Sequence, residues 1–96
     1  MSNARKILII DDDDELRESL SEQLSLHEEF ETELASTAQD GLKLARNGHV
    51  DLVLLDVGLP DLDGREACKL LRRGGFKGPI IMLTGQSSDA DTILGL

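Results

Sequence analysis

Three short apolar runs constrain the fold of this chain more than any other feature of its sequence. RKILII ends at Ile10, DLVLL ends at Leu55 and PIIML ends at Leu83. Each run has the length of one strand and is apolar at consecutive positions, which is typical of strands buried on both faces of a parallel sheet. The sequence therefore predicts a sheet that is covered by helices on both sides.

Helical patterns and one half-exposed strand lie between these runs. Three segments repeat apolar residues every three or four positions, at Leu16, Leu20 and Leu24, at Ala38, Leu42 and Ala45, and at Ala67, Leu70 and Leu71. The segment FETELA, residues 30–35, mixes apolar and acidic residues, which favours an edge strand. A fourth helix is predicted to begin at Ser88 and to run to the last residue, Leu96.

The alternating order of strands and helices predicts the fold class. It favours an α/β protein with a doubly wound parallel sheet and right-handed crossovers. Ligands in such sheets bind beyond the carboxyl ends of the strands, where the strand order reverses. The residues that directly follow each strand are therefore the candidates for a functional site.

Composition limits the functions that this domain can have. The 96 residues are enough for one domain, and 19 acidic against 10 basic residues leave a net charge of −9, which argues against nucleic-acid binding. The lone Cys68 excludes a disulfide framework, and no apolar run reaches the length of a membrane span. We expect a soluble, cytoplasmic domain over residues 5–96, with residues 1–4 as an expression remnant.

Carboxylates and one hydroxyl follow three of the predicted strands. Asp11 and Asp12 follow the first strand, Asp56 follows the third and Thr84 follows the fourth. Carboxylates that converge repel each other, and a hard divalent cation such as Mg²⁺, or Mn²⁺ in its place, holds them ionised. With a cation present, one carboxylate could attack a phosphoryl donor and form an aspartyl-phosphate.

The segments ILIIDDDDELRESL, LVLLDVGLPDLDG and PIIMLTG resemble the receiver domain of two-component response regulators over residues 6–96. The resemblance implies a flavodoxin-like sheet with strand order 2-1-3-4. It also implies that Asp56 is the phosphoacceptor, and that Asp11, Asp12, Asp56 and the backbone carbonyl of Gly58 hold Mg²⁺. Thr84 would be the switch hydroxyl that moves towards the phosphoryl group.

The resemblance also implies partners and a mode of action. A sensor histidine kinase or a phosphotransfer protein would donate the phosphoryl group, and an output domain or protein outside this chain would respond. The pocket would hydrolyse its own product slowly, so we expect a timed switch and not a turnover enzyme.

The chain departs from the family pattern at its carboxyl end. The family has a fifth strand, which carries a Lys and an aromatic switch residue, and a fifth helix, and we expect this chain to lack both elements. Lys77 and Phe76 cannot replace those residues because they precede the fourth strand. A bare strand edge and a bare sheet face would favour self-association of such a truncated domain.

Two alternatives remain open from the sequence. In a phosphohydrolase of the haloacid-dehalogenase type, Asp11 would carry the phosphoryl group within an Asp-x-Asp motif, although Glu15 stands where that family has Thr or Val. In a protein-interaction module, the acidic pocket would be vestigial. Mapping the phosphoryl group to Asp56 or to Asp11 separates the receiver from the hydrolase.

Overall fold

The computed structural model describes residues 4–83 and the backbone of residues 93–95. Five strands and three helices follow one another in the order β1 (Arg5–Ile10), α1 (Asp14–Ser25), β2 (Phe30–Ala35), α2 (Ala38–Asn47), β3 (Leu52–Asp56), α3 (Gly64–Arg73), β4 (Ile80–Leu83) and β5 (Ile93–Gly95). None of the three helices is long and apolar enough to cross a membrane.

The sheet has the strand order β2-β1-β3-β4-β5, and its first four strands are parallel. The predicted doubly wound sheet and its order 2-1-3-4 are therefore confirmed. β2 lies at one edge, as its acidic residues predicted. β1 lies between β2 and β3, and Ile9 is aligned with Leu34 on one side and with Leu54 on the other.

Helices cover both faces of the sheet. On one face, α2 and α3 pack on a core of buried apolar residues that includes Leu8, Ile10, Val53, Leu55, Ala38, Ala67 and Leu71. On the other face, Ser21 of α1 shares a hydrogen bond of 2.8 Å with Thr32 of β2. Thr32 is aligned with Ile7, whose side chain points away from that of Leu8 because successive residues of a strand alternate.

The carboxyl end of the described chain differs from the sequence-based prediction. Residues 93–95 form β5 and not a helix, and β5 pairs antiparallel with β4, with Leu83 aligned to Ile93. The pairing covers the β4 edge that we expected to be bare, because an open edge presents unpaired N–H and C=O groups that bind an extended segment. Residues 4–83 and 93–95 contain no parallel fifth strand and no helix after β4. Residues 84–92 and 96, with most of the predicted fourth helix, lie outside the described residues.

Gly64 marks a close approach between α3 and the end of β3. A Cβ at this position would lie 2.6 Å from the carbonyl oxygen of Asp56 and 2.6 Å from the Cα of Val57. Both contacts are to backbone, which cannot move aside without shifting the strand end. Glycine is therefore required here for packing. The close approach lies beside Asp56, the last residue of β3.

We expect Gly64→Ala to lower the stability of the domain by about 1–3 kcal/mol, the usual cost of overpacking, although alanine favours helix more than glycine does. Thermal unfolding followed by circular dichroism measures the effect. Gly58→Ala is the matched control in the same loop, because a Cβ at Gly58 meets nothing within 4 Å. Equal melting temperatures for the two variants would contradict the packing argument.

Candidate metal centre

The parallel pairing of β1 with β3 creates an acidic pocket at the carboxyl edge of the sheet. β1 ends at Ile10 and β3 ends at Asp56, and Ile10 is aligned with Leu55. The N–H of Asp11 donates to the carbonyl of Ala35 at 3.0 Å, so the residue that follows β1 is still held against β2. Asp11, Asp12 and Asp56 consequently meet at one edge.

The three carboxylates lie close enough to share one cation. One oxygen from each of Asp11, Asp12 and Asp56 lies within 4.8 Å of the other two. The residues Asp11 and Asp56 are buried, at 3% and 8% relative exposure, and Asp12 is exposed to solvent. The convergence that the strand-end positions predicted is therefore present, with two buried carboxylates and one exposed carboxylate.

The environment of the pocket raises the pKa of its two buried carboxyl groups. Burial is the main cause that raises the pKa of Asp11, and the nearby charges of Asp12 and Asp13 add to it. Burial also raises the pKa of Asp56, with further contributions from Asp11 and Asp12. Hydrogen bonds from the N–H groups of Asp13, to Asp11, and of Gly58, to Asp56, act in the opposite direction without reversing the shifts.

No ion pair with a basic side chain neutralises this cluster in the described part of the chain. Among residues 4–83, no Lys or Arg forms an ion pair with Asp11, Asp12 or Asp56. Arg17 approaches most directly. It pairs with Asp14 and donates to the backbone carbonyl of Asp11, and its charge lowers the pKa of Asp11 without reversing the shift. An all-oxygen donor set with an excess of negative charge fits a hard divalent cation such as Mg²⁺.

The structure describes the predicted site residue Gly58 but not Thr84. Gly58 lies in the loop after β3, and its N–H donates to Oδ1 of Asp56 at 3.2 Å. Thr84 lies outside the described residues, so its role stays a prediction. Asp13 is the N-cap of α1 and accepts the N–H of Leu16 at 3.2 Å, as expected of an acidic residue at a helix start.

Sequence reasoning missed a contact of Asp61. Its carboxylate accepts hydrogen bonds from the N–H groups of Ala38 at 2.9 Å and Gln39 at 3.0 Å, more than twenty residues away in sequence. These bonds lower the pKa of Asp61, the bond from Ala38 most of all. The sequence around α2 does not predict such a contact, because a helix-capping residue normally lies within three residues of the helix start.

The fold and the pocket together define a class of protein, a doubly wound α/β domain with an all-oxygen acidic site at its switch point. The sequence model of the family described as "Response regulator receiver domain" matches residues 7–96. The chain belongs to this family, a domain of two-component systems, as its motifs predicted.

Relatives and solved structures agree with this assignment. The chain is 43% identical to the transcriptional regulatory protein AfsQ1 of Streptomyces coelicolor over 91 residues, which are 94% of this chain and 39% of AfsQ1. The chain thus spans less than half of the curated relatives that it matches. A CheY-like receiver domain protein from Methanospirillum hungatei superimposes with a TM-score of 0.81 at 35% identity, over 88% of this chain and 67% of that chain.

A third similar protein is the response regulator TrrA of Thermotoga maritima. Its structure in complex with Mg(2+)-BeF has a TM-score of 0.79 at 35% identity, covering 86% of this chain and 71% of that one. Its structure in complex with histidine kinase ThkA has a TM-score of 0.79 at 33% identity, covering 91% of this chain and 74% of that one.

We expect Asp56→Asn to stabilise the domain in the absence of divalent cations, because the amide removes one buried charge from a cluster of like charges. The expected rise in melting temperature in EDTA at pH 7 is roughly 4–8 °C, which about 1 kcal/mol produces in a domain of this size. Glu22→Gln, which removes one charge from an exposed position of α1, is the control and should change little. A fall in the melting temperature of Asp56→Asn would contradict the repulsion.

The pH dependence of stability follows from the same raised pKa values. A carboxyl whose folded pKa is raised holds more protons in the folded state than in the unfolded state, so its contribution to stability falls as pH rises. The loss begins near 3.8, the ordinary pKa of an aspartate, and is complete above the raised pKa values of Asp11 and Asp56. In EDTA, Asp56→Asn should therefore gain stability relative to wild type as pH rises through this window, which urea unfolding at several pH values measures.

Proposed function

We propose that this domain accepts a phosphoryl group on Asp56 in a step that depends on Mg²⁺, and that the modified domain switches a partner or an output domain. The observation that carries this proposal is the cluster of Asp11, Asp12 and Asp56, whose oxygens lie within 4.8 Å of one another without a basic partner in the described chain. Membership of the receiver family supports the assignment of Asp56.

Asp11, Asp12, Asp56 and the carbonyl of Gly58 would hold the cation. Bound there, Mg²⁺ would neutralise the carboxylates and the oxygens of an incoming phosphoryl group. Asp56 would then attack phosphorus through a carboxylate oxygen, forming a new O–P bond while the P–N bond of a phosphohistidine donor breaks and the imidazole departs with its electrons. The Gly58 N–H, which donates to Oδ1 of Asp56, would orient the attacking carboxylate.

Phosphorylation would change the charge at this edge of the sheet. An aspartyl-phosphate replaces one negative charge with roughly two and adds strong acceptor oxygens. The Thr84 hydroxyl would move towards those oxygens and shift the domain between two states. Hydrolysis in the same pocket would return the domain to its resting state, so that the lifetime of the phosphate times the signal.

The comparisons suggest which partners to test. A response regulator with this fold has been seen in complex with a histidine kinase, so we propose a cytoplasmic histidine kinase or phosphotransfer protein as the donor. The relatives extend well beyond the matched region, and one of them is a transcriptional regulatory protein. We therefore propose that an output region, and not this acidic domain, contacts DNA.

We expect this chain to gain the mass of one phosphoryl group when it is incubated with acetyl phosphate and Mg²⁺, and to gain nothing in EDTA. Intact-mass spectrometry measures the gain, and peptide mapping after reductive trapping locates it. Asp56→Asn should abolish the gain, whereas Asp51→Asn, at the opposite end of β3, should retain it. A phosphoryl group on Asp11 would support the phosphohydrolase instead, and a gain in Asp56→Asn equal to wild type would refute the proposed acceptor.

We also expect Mg²⁺ to stabilise the domain. A concentration tenfold above the Kd adds about 1.4 kcal/mol through binding to the folded state, or roughly 6–11 °C in melting temperature. Asp12→Asn should lose most of this gain because it removes the exposed carboxylate from the cluster, and Glu15→Gln, an exposed neighbour in α1, should keep it. NaCl at matched ionic strength tests for screening alone, and an equal effect of the two salts would argue against a specific site.

A further inference from the structure

The loop between β3 and α3, residues 57–63, is tied at its apex to a helix from another part of the chain. Asp61 accepts the N–H of Ala38 through one carboxylate oxygen at 2.9 Å and the N–H of Gln39 through the other at 3.0 Å. A bidentate contact of this kind fixes both the position and the orientation of the carboxylate. It also places a negative charge at the positive end of the α2 dipole.

The contact is not needed to give α2 an N-cap. Thr37 already caps this helix, and its hydroxyl accepts the N–H of Asp40 at 3.2 Å. Thr37 and Asp61 accept different N–H groups of the first turn. Thr37 does so from the N-cap position of the helix, and Asp61 does so from the loop. The loop contact therefore does something that the local cap does not, since it joins two segments 22 and 23 residues apart in sequence.

The helix that receives this contact is firmly packed. Ala38 is fully buried in the core. One turn further along, a Cβ on Gly41 would lie 2.3 Å from Cδ1 of Ile10, so α2 lies directly against β1. Asp61 thus ties the loop to an element that is itself fixed to the strand that precedes Asp11.

The same loop carries Gly58. Its two ends are closed by an antiparallel bridge between Gly58 and Asp63 and by a 2.9 Å hydrogen bond from Gly64 N–H to the Val57 carbonyl. These bonds define the shape of the loop and join it to the start of α3, and the Val57 N–H donates to the Leu83 carbonyl of β4 at 3.0 Å. Asp61 adds the polar contact that joins this loop to α2.

We propose that Asp61 is a positioning residue for the metal site, which holds the Gly58 loop in the conformation that binds Mg²⁺. This proposal rests on the proposed function, because it assumes that Gly58 and the three carboxylates bind the cation. A ligand that is already in place binds a metal without first being ordered, so loss of the tie should weaken binding. Mg²⁺ in excess should restore the loop and with it the rate of phosphorylation.

The experiment compares Asp61→Ala, Asp61→Asn and Thr37→Ala with wild type. Isothermal titration calorimetry with MgCl₂ and no phosphodonor measures the Kd, and acetyl phosphate at varied Mg²⁺ measures the rate of phosphorylation. We expect Asp61→Ala to raise the Kd about tenfold, as loss of outer-shell support does in other metal sites. Its phosphorylation rate at saturating Mg²⁺ should stay within about twofold of wild type.

The two other variants separate positioning from stability and from charge. Thr37→Ala removes the other cap of the same helix, so it should lower the melting temperature while leaving the Kd within about twofold of wild type. Asp61→Asn removes the charge but keeps an oxygen acceptor, and it should bind Mg²⁺ more tightly than Asp61→Ala.

Three results would overturn the proposal. They are an unchanged Kd in Asp61→Ala, a Kd raised equally by Thr37→Ala, and a Kd raised equally by Asp61→Asn, which would indicate a loss of charge alone. A wild-type chain that binds no Mg²⁺ would instead refute the proposed function, together with everything that rests on it.

Discussion

The parallel pairing of β1 with β3 is the constraint on which the rest of this structure depends. Parallel strands end at the same edge of a sheet, so the pairing brings Asp11 and Asp56 together although 44 residues separate them along the chain. Burial of the flanking strands then takes both carboxylates out of water. A chain that paired these strands in the antiparallel direction would place the two carboxylates at opposite ends of the sheet and would have no pocket.

The carboxylates of the pocket repel one another, and the rest of the fold must offset this repulsion. Raised pKa values at Asp11 and Asp56 show that the ionised cluster opposes folding near neutral pH. The apolar core between the sheet and the helices α2 and α3 offsets this cost. A site with this imbalance favours any ligand that supplies positive charge, because binding removes a repulsion that the fold already contains. The same charges that oppose folding would therefore strengthen the binding of a cation.

The loop after Asp56 connects the pocket to the helix layer. Gly64 allows the start of α3 to lie against the strand end without a clash, and Asp61 reaches across to the first turn of α2. The loop is thus followed directly by the close contact of α3 with the strand end, and it is bonded through Asp61 to α2.

Local patterns in the sequence determined the elements and the chemistry of the candidate site. Apolar runs identified β1, β3 and β4, four-residue spacing identified α1, and the residues after each strand indicated Asp11, Asp12 and Asp56. Three features depended on tertiary structure. The Asp61 contact joins distant segments, and the crowding at Gly64 depends on how β3 meets α3. Residues 93–95 pair with the edge of β4, although a helix was predicted to begin at Ser88 and to include them. Hydrophobic periodicity in a sequence indicates which face of a segment is buried. These three features depend instead on which distant segment packs or pairs with it.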